Sequence, residues 1–75
     1  MKDMLLSTAE RVFGRKVEED ENLFTIEANI NIANMLYFFL EIEKKLNIRI
    51  PISAVEEGAF YDINSIHEML TELTS

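Results

Sequence analysis

The apolar residues of the chain recur every three or four positions in three separate stretches, which is the spacing of helices with one buried face. In the first stretch they are Met1, Met4, Leu5, Ala9, Val12 and Phe13. Asp3 lies in the first turn, where its charge suits the helix dipole, and Gly14 follows the last apolar residue as a helix-ending glycine. The pattern predicts an amphipathic first helix of about three turns that ends at Gly14.

The second stretch is densely apolar and predicts a helix from Ile32 to Leu46, with Asn31 as its N-cap. The expected core-facing stripe consists of Ile32, Met35, Leu36, Phe39, Ile42 and Leu46. Tyr37, Phe38 and Leu40 lie off that stripe, so the helix has more apolar surface than one core face needs. Either the preceding loop or a partner covers the excess, and the sequence leaves both open.

Two further helices are expected after a short extended link that ends at Pro51. Ser53 and Glu56 have the spacing of a capping box, which predicts a helix of one or two turns before Gly58. Asp62 is the candidate N-cap of the last helix. The apolar residues of that helix are Ile63, Ile66, Leu70 and Leu73.

The connection between the first two helices, residues 14 to 30, shows no single periodicity. It contains the acidic run "VEEDEN", and we expect Leu23, Phe24 and Ile26 to pin the loop across the helices. A loop of this length in so small a domain is typical of a segment with its own packing or function. With no strand signal and no internal repeat, the sequence predicts one domain spanning residues 1–75. Its expected fold is an all-α bundle of three main helices plus one short helix.

The charge of the chain restricts its partners. Fourteen acidic residues and seven basic ones give a formal net charge of −7. Such a field repels phosphate backbones, so we expect no nucleic-acid partner, and it favours a protein with a basic docking surface. No apolar run approaches the roughly 18 residues of a membrane span, and the N-terminal residues lack the apolar region of a signal peptide. We therefore expect a cytoplasmic protein without a membrane span.

No group of side chains in the sequence has the composition of an active site or a metal site. His67 is the only histidine, and we expect it at the surface without a second ligand or a nucleophile. Glu41 and Glu43 are two residues apart on a helix, so they do not face each other as an acid–base pair. Gly14 and Gly58 are too few for a phosphate-binding glycine loop. We expect the protein not to be an enzyme.

The order of these elements resembles the acyl carrier protein family, and most closely its aminoacyl (D-alanyl) carrier branch. The residues that carry the resemblance are "FFLEIEKKLNIRIPIS", Phe38 to Ser53, and "FYDINSIHEML", Phe60 to Leu70. Members of the family carry 4′-phosphopantetheine on a serine in an Asp-Ser-Leu-like motif at the start of the second helix. A phosphodiester is stabilised there by free N–H groups and the positive end of the helix dipole.

The attachment serine of the family has no counterpart in this chain. Counted back from Pro51 without gaps, the motif falls on Asn31, Ile32 and Ala33, and isoleucine has no hydroxyl group. No serine or threonine lies between Thr25 and Ser53. We therefore expect no bound cofactor and no thioester cargo.

The resemblance implies instead that the second helix docks to a partner biosynthetic enzyme, such as a synthase or ligase subunit with a basic surface. The implied partner-binding residues are Ile32, Met35, Leu36, Tyr37, Leu40 and Glu43. Met35 and Leu36 also lie on the expected core stripe, so they belong either to the core or to the docking surface.

Two other functions compete with this one. A working carrier would require modification at an unusual residue such as Ser53. A protein of another class, a small acidic helical inhibitor unrelated to acyl transfer, would bind basic nucleic-acid-binding proteins instead of enzymes that handle activated acids.

Overall fold

Four helices form the architecture of residues 1–24 and 31–74, which the computed structural model describes. In chain order they are α1 (Lys2–Phe13), α2 (Ile32–Leu46), α3 (Ile52–Glu56) and α4 (Ile63–Thr74). Within these residues there is no strand. The predicted all-α bundle of three main helices plus one short helix is therefore confirmed.

The ends of the long helices follow from local chemistry that the sequence displays. Gly14 adopts a left-handed conformation (φ 76°) and its N–H donates to the Glu10 carbonyl, which closes α1. The Asn31 side chain accepts a hydrogen bond from the Asn34 N–H at 2.8 Å, and Asn47 ends α2 in a left-handed conformation. The predicted bounds of α2 and its predicted cap are confirmed.

The last helix begins with a similar cap. The Asp62 carboxylate accepts a hydrogen bond from the Ser65 N–H at 2.7 Å, which satisfies one of the free donors in the first turn of α4. The prediction of Asp62 as the N-cap is confirmed.

The start of α3 differs from the prediction. Pro51 precedes the helix in an extended conformation, and its carbonyl accepts a hydrogen bond from the Ala54 N–H at 3.0 Å. The fixed φ of proline suits this entry, so the helix begins at Ile52 and Ser53 already lies inside the first turn. No side chain caps α3, and the predicted capping box of Ser53 and Glu56 is wrong.

The core is formed where α1 packs against α2 and α4. Its buried hydrophobic residues are Leu5, Ala9, Val17, Leu23, Phe38, Ile42, Ile50, Ala54, Phe60, Ile63, Ile66 and Leu70. The Phe38 ring joins the helices, because its centroid lies 5.2 Å from that of Phe13 and 6.4 Å from that of Phe60. Leu73, expected on the apolar face of α4, is 42 % exposed, so that face is buried only as far as Leu70.

The buried face of α2 is rotated from the predicted stripe. Phe38 and Ile42 are fully buried, whereas Ile32 is 88 % and Leu36 is 54 % exposed. Side chains two positions apart are related by a rotation of about 200° around the helix axis, so Leu36 and Phe38 lie on nearly opposite faces. Met35, Phe39 and Leu46 are half-buried at the edge of the core. The placement of Ile32 and Leu36 in the core, and of Phe38 outside it, is therefore wrong.

The described part of the long connection is fixed by burial and by backbone hydrogen bonds. Leu23 is buried, and its N–H donates to the Tyr61 carbonyl at 2.8 Å, while the Asn64 N–H donates to the Glu19 carbonyl at 3.0 Å. Leu23 therefore pins the loop as predicted. Phe24 is 62 % exposed, so the prediction that it does the same is wrong. The predicted role of Ile26 lies outside the described residues.

Candidate docking site at the start of helix α2

The first nine residues of α2 carry no charge, and several of their large apolar side chains face solvent. Four residues of the predicted partner-binding set are exposed: Ile32, Leu36, Tyr37 and Leu40. Ile32, Leu36 and Leu40 succeed one another at intervals of four, so they form a stripe along one face with a rise of about 6 Å per step. This stripe lies opposite the core face that Phe38 and Ile42 occupy.

An apolar groove of about 310 Å³ opens beside the stripe, between α2 and α3. Apart from Asn31, its lining consists of apolar side chains from α2, α3 and the adjoining connections: Leu23, Phe24, Ile32, Met35, Leu36, Phe39, Ile52, Val55 and Phe60. Met35 and Phe39 pack on the core from the groove, and the Phe39 ring centroid lies 5.7 Å from that of Phe60. Met35 therefore joins the core to the groove, whereas the exposed Leu36 forms a groove wall.

The entrance of α2 presents an exposed isoleucine at the position where the resemblance predicts an attachment serine. Asn31, Ile32 and Ala33 are all exposed, and the Asn31 side chain is engaged in the cap. The exposed Ile32 side chain has no atom that could form a phosphodiester or bind a metal. What this entrance offers a ligand is apolar area that is removed from water on contact.

Glu43, the acidic member of the predicted partner-binding set, has a structural task. Its carboxylate accepts a hydrogen bond from the Ile50 N–H at 2.7 Å, and its backbone carbonyl accepts one from the Ile48 N–H at 3.1 Å. The half-buried Glu43 thus holds the link to α3 against the end of α2.

The ion pairs of the described residues lie outside the groove lining. Arg15 donates hydrogen bonds to Glu21, and this lowers the pKa of the Glu21 carboxyl and raises that of the guanidinium. Arg11 donates to Glu41 at 3.0 Å and lowers the pKa of that half-buried carboxyl in the same way. These two pairs brace the connection and the packing of α1 on α2, and a third pair, Lys2 with Glu19 at 3.8 Å, joins the start of α1 to the connection. None of the three presents an acid or a base to the groove.

His67 does not form a site with other ionisable groups in the described part of the chain. It is half-buried, contrary to the predicted surface position. Its Nδ1 atom is shielded from solvent and has no hydrogen-bond partner among the described residues. Among the described residues no group of three or more histidine or acidic side chains is placed to hold a metal ion.

Sequence reasoning missed the apolar groove residues that come from outside α2, namely Leu23, Phe24, Ile52, Val55 and Phe60. Ile52 and Val55 are three residues apart and therefore share a face of α3, a signal that the sequence contains. Their approach to α2 depends on the path of the link at Pro51, which no local pattern specifies.

Comparison of the chain with models of known families, with curated proteins and with solved structures finds no match. Over the part of the chain that the structure describes, no helix has the length and apolar character to cross a bilayer. The features that bear on function are therefore the groove, the exposed stripe and the charges around them.

Proposed function

We propose that this protein is a carrier-protein-like adaptor that holds no prosthetic arm and acts by docking to a cytoplasmic biosynthetic enzyme. The observation that carries the proposal is the position of Ile32, the first residue of α2. Its side chain is 88 % exposed at the point where the family has its attachment serine. The Ile32 side chain has no hydroxyl group, but it is exposed and can contact a partner protein.

The arrangement of helices supports the proposal. Helices of 12, 15, 5 and 12 residues follow one another, and the longest connection separates the first two. The resemblance implies the same order, with a dominant second helix and a short third one. The Asn31 cap also keeps the entrance of α2 well formed, so the loss of the nucleophile leaves the presentation of the helix intact.

The energetics of the exposed stripe favour binding to another protein. Complete burial of a large apolar side chain contributes about 1.5–3 kcal/mol before the costs of association. Ile32, Leu36 and Leu40 leave much of that contribution unused in the free protein. Tyr37, which is exposed beside them, combines a large apolar ring with a polar hydroxyl, as interface anchor residues often do.

The first experiment tests the absence of the arm. The protein is incubated with coenzyme A and a broad-specificity phosphopantetheinyl transferase, with an ordinary acyl carrier protein as the positive control, and its intact mass is measured. We expect no change in mass. A gain of one phosphopantetheine would refute the proposal and support a working carrier that uses another hydroxyl, such as that of Ser53.

A restored motif tests the resemblance itself. The triple variant Asn31→Asp, Ile32→Ser, Ala33→Leu rebuilds the family motif on three exposed positions, so we expect it to stay helical by circular dichroism. In the same assay it should gain the mass of one phosphopantetheine. A folded triple variant that the transferase leaves unmodified would contradict the carrier-like origin of this helix.

Photo-crosslinking tests docking and its alternative. A photoreactive phenylalanine analogue is placed at Tyr37, or at the exposed Leu73 of α4 as a control, and the adducts formed in the source cells are identified by mass spectrometry. We expect position 37, and not position 73, to capture an enzyme that handles activated acids. A basic nucleic-acid-binding protein captured at position 37 would support the acidic inhibitor instead.

A further inference from the structure

The basic residues of the chain are segregated from the groove. All seven lysines and arginines lie outside two segments, residues 17–43 and 50–75, which hold twelve of the fourteen acidic residues. Every described residue that lines the groove belongs to one of these two segments. The lining itself is uncharged, so the groove is an apolar surface between segments that carry only negative charge.

Charged residues that are close in sequence to the groove lining are mostly acidic, although Arg49 precedes Ile52 by three residues. Glu56 follows Ile52 by four residues on α3, and it is exposed on the same face of that helix. Ahead of Leu23 stands an acidic run in which Glu18 and Asp20 are exposed. Along α2 the first cation is Lys44, about 18 Å beyond Ile32 along the helix axis. From Leu36 the separation is about 12 Å, which exceeds the screening length of about 8 Å at physiological salt, whereas from Phe39 it falls to about 8 Å.

The shape of the groove indicates the kind of chain that fits it. Its volume of about 310 Å³ lies at the lower limit for small-molecule sites, which suits a few side chains of a partner. The described residues contain no sheet edge that could accept an extended strand. The long wall is formed by Ile32, Met35, Leu36 and Phe39 of α2. Their spacing of three and four residues complements apolar residues at the same intervals on another helix.

We infer that the groove between α2 and α3 binds an amphipathic helix of the partner, with an apolar ridge flanked by lysine or arginine. The ridge enters the groove, and the flanking cations face the acidic segments around it. This inference rests on the proposed docking function and specifies its partner. The attraction between opposite charges selects and orients the helix, whereas the burial of the apolar ridge supplies the affinity.

A peptide experiment tests the inference. The probe is a fluorescein-labelled helical peptide of leucine and lysine with all its leucines on one face, and fluorescence anisotropy measures its binding to the full chain. Two control peptides are used: the lysines replaced by glutamates, and the sequence scrambled so that the leucines share no face. We expect the parent peptide to bind at least about tenfold more tightly than either control, with an affinity that falls as salt increases.

Matched variants locate the binding site. Leu36→Glu and Ile52→Glu change exposed groove residues, and Leu73→Glu makes the same kind of change at an exposed apolar residue away from the groove. The two groove variants should weaken binding of the leucine–lysine peptide at least about tenfold, and Leu73→Glu should leave it unchanged. Circular dichroism of each variant confirms that it is folded.

Several outcomes would overturn the inference. Equal binding of the glutamate peptide would show that charge does not select the helix. Equal losses in all three variants would show binding without a specific groove. Sedimentation that shows a dimer abolished by Leu36→Glu would assign the groove to a second copy of the chain. An apolar dye that binds the groove and that the peptide fails to displace would assign it to a small ligand. The photo-crosslinking experiment is independent of the peptide, so the docking function and the helix inference can fail separately.

Discussion

Phe38 provides a quantitative test of the packing of α2. Its side chain is fully buried, and its ring contacts Phe13 on one side and Phe60 on the other, with centroid distances of 5.2 and 6.4 Å. Phe38→Ala removes this ring from the junction of three parts of the chain. Such a change costs about 3–5 kcal/mol in the free energy of unfolding, because transfer energy and contacts are lost and a cavity remains.

That loss is large compared with the total stability. At roughly 0.05–0.15 kcal/mol per residue, a domain of 75 residues has a free energy of unfolding of about 4–11 kcal/mol. Phe38→Ala should therefore lower the melting temperature by about 12–40 °C, or unfold the protein. Neighbouring aromatic residues serve as controls. Tyr37→Ala, at an exposed position, should change the free energy by no more than about 0.5 kcal/mol, and the half-buried Phe39 should give an intermediate loss.

Urea unfolding followed by circular dichroism at 222 nm measures all three variants under the same conditions. The assignment of the core face predicts the order of destabilisation as Phe38→Ala, then Phe39→Ala, then Tyr37→Ala. Suppose instead that the free energy of unfolding of Phe38→Ala lay within about 1 kcal/mol of the parent value, and that Phe39→Ala lost most of its stability. The core would then lie on the stripe predicted from the sequence. The exposed stripe and the groove would then have to be reassigned as well.

Three further changes test other parts of the structure. His67→Leu removes a shielded Nδ1 atom that has no hydrogen-bond partner among the described residues. Urea unfolding should therefore show a free energy of unfolding about 1 kcal/mol higher than that of the parent, and a lower value would contradict the burial of that atom. Because Arg15 lowers the pKa of Glu21, the pair stabilises the folded state above the carboxyl's ordinary pKa of 4.5, and this stabilisation is lost as pH falls through the lower pKa of the folded state. The difference in melting temperature between the parent and Glu21→Gln should therefore disappear in acid, and a difference that stays constant would refute the pairing. Ile32→Glu adds an acidic residue to the first turn of α2, so thermal melts should show a free energy of unfolding raised by about 0.3–1 kcal/mol. The same change should weaken binding of the leucine–lysine peptide, and unchanged binding would place Ile32 outside the docking surface.

The fold could be predicted from the sequence wherever local chemistry determines it. Gly14, Asn31 and Asn47 carry the capping preferences of their types, and each marks a helix end in the structure. The cap of α3 could not be obtained in this way, because two local signals compete there. The serine–glutamate spacing favours Ser53 as the N-cap, whereas Pro51 can occupy the N-cap position two residues earlier, and the structure follows the proline.

The face that α2 buries could not be determined from its own sequence. Large apolar residues occupy most of the positions from Ile32 to Leu40, so more than one rotation of the helix gives a continuous apolar stripe. The partners that select the rotation are distant in sequence: Phe13 in α1 and Phe60 before α4 receive the Phe38 ring. Helical periodicity alone does not distinguish these apolar faces of α2, and tertiary packing determines which of them is buried.

The candidate site was accessible to sequence reasoning only in part. The exposed positions at the entrance of α2 follow from the resemblance and from the excess of apolar residues there. The groove also needs α3, which is brought to α2 by a link that the Glu43 carboxylate fixes through the Ile50 N–H. That hydrogen bond joins residues seven positions apart, across the last turn of α2 and the irregular link after it. Neither helical periodicity nor a motif encodes this relationship.

The exposed isoleucine at the start of α2 makes sense as a binding residue and not as a stabilising one. At 88 % exposure Ile32 gains little from burial, and as a β-branched residue it favours the helix less than alanine or glutamate does. The first turn of α2 also lacks the acidic residue that would complement the helix dipole. A more stable helix was therefore available by a single substitution, and the isoleucine forgoes that stability. Binding sites commonly show this opposition between stability and function. In this protein the less stable choice occurs at Ile32, a residue that also lines the groove. This coincidence favours a docking function for Ile32 and for the groove.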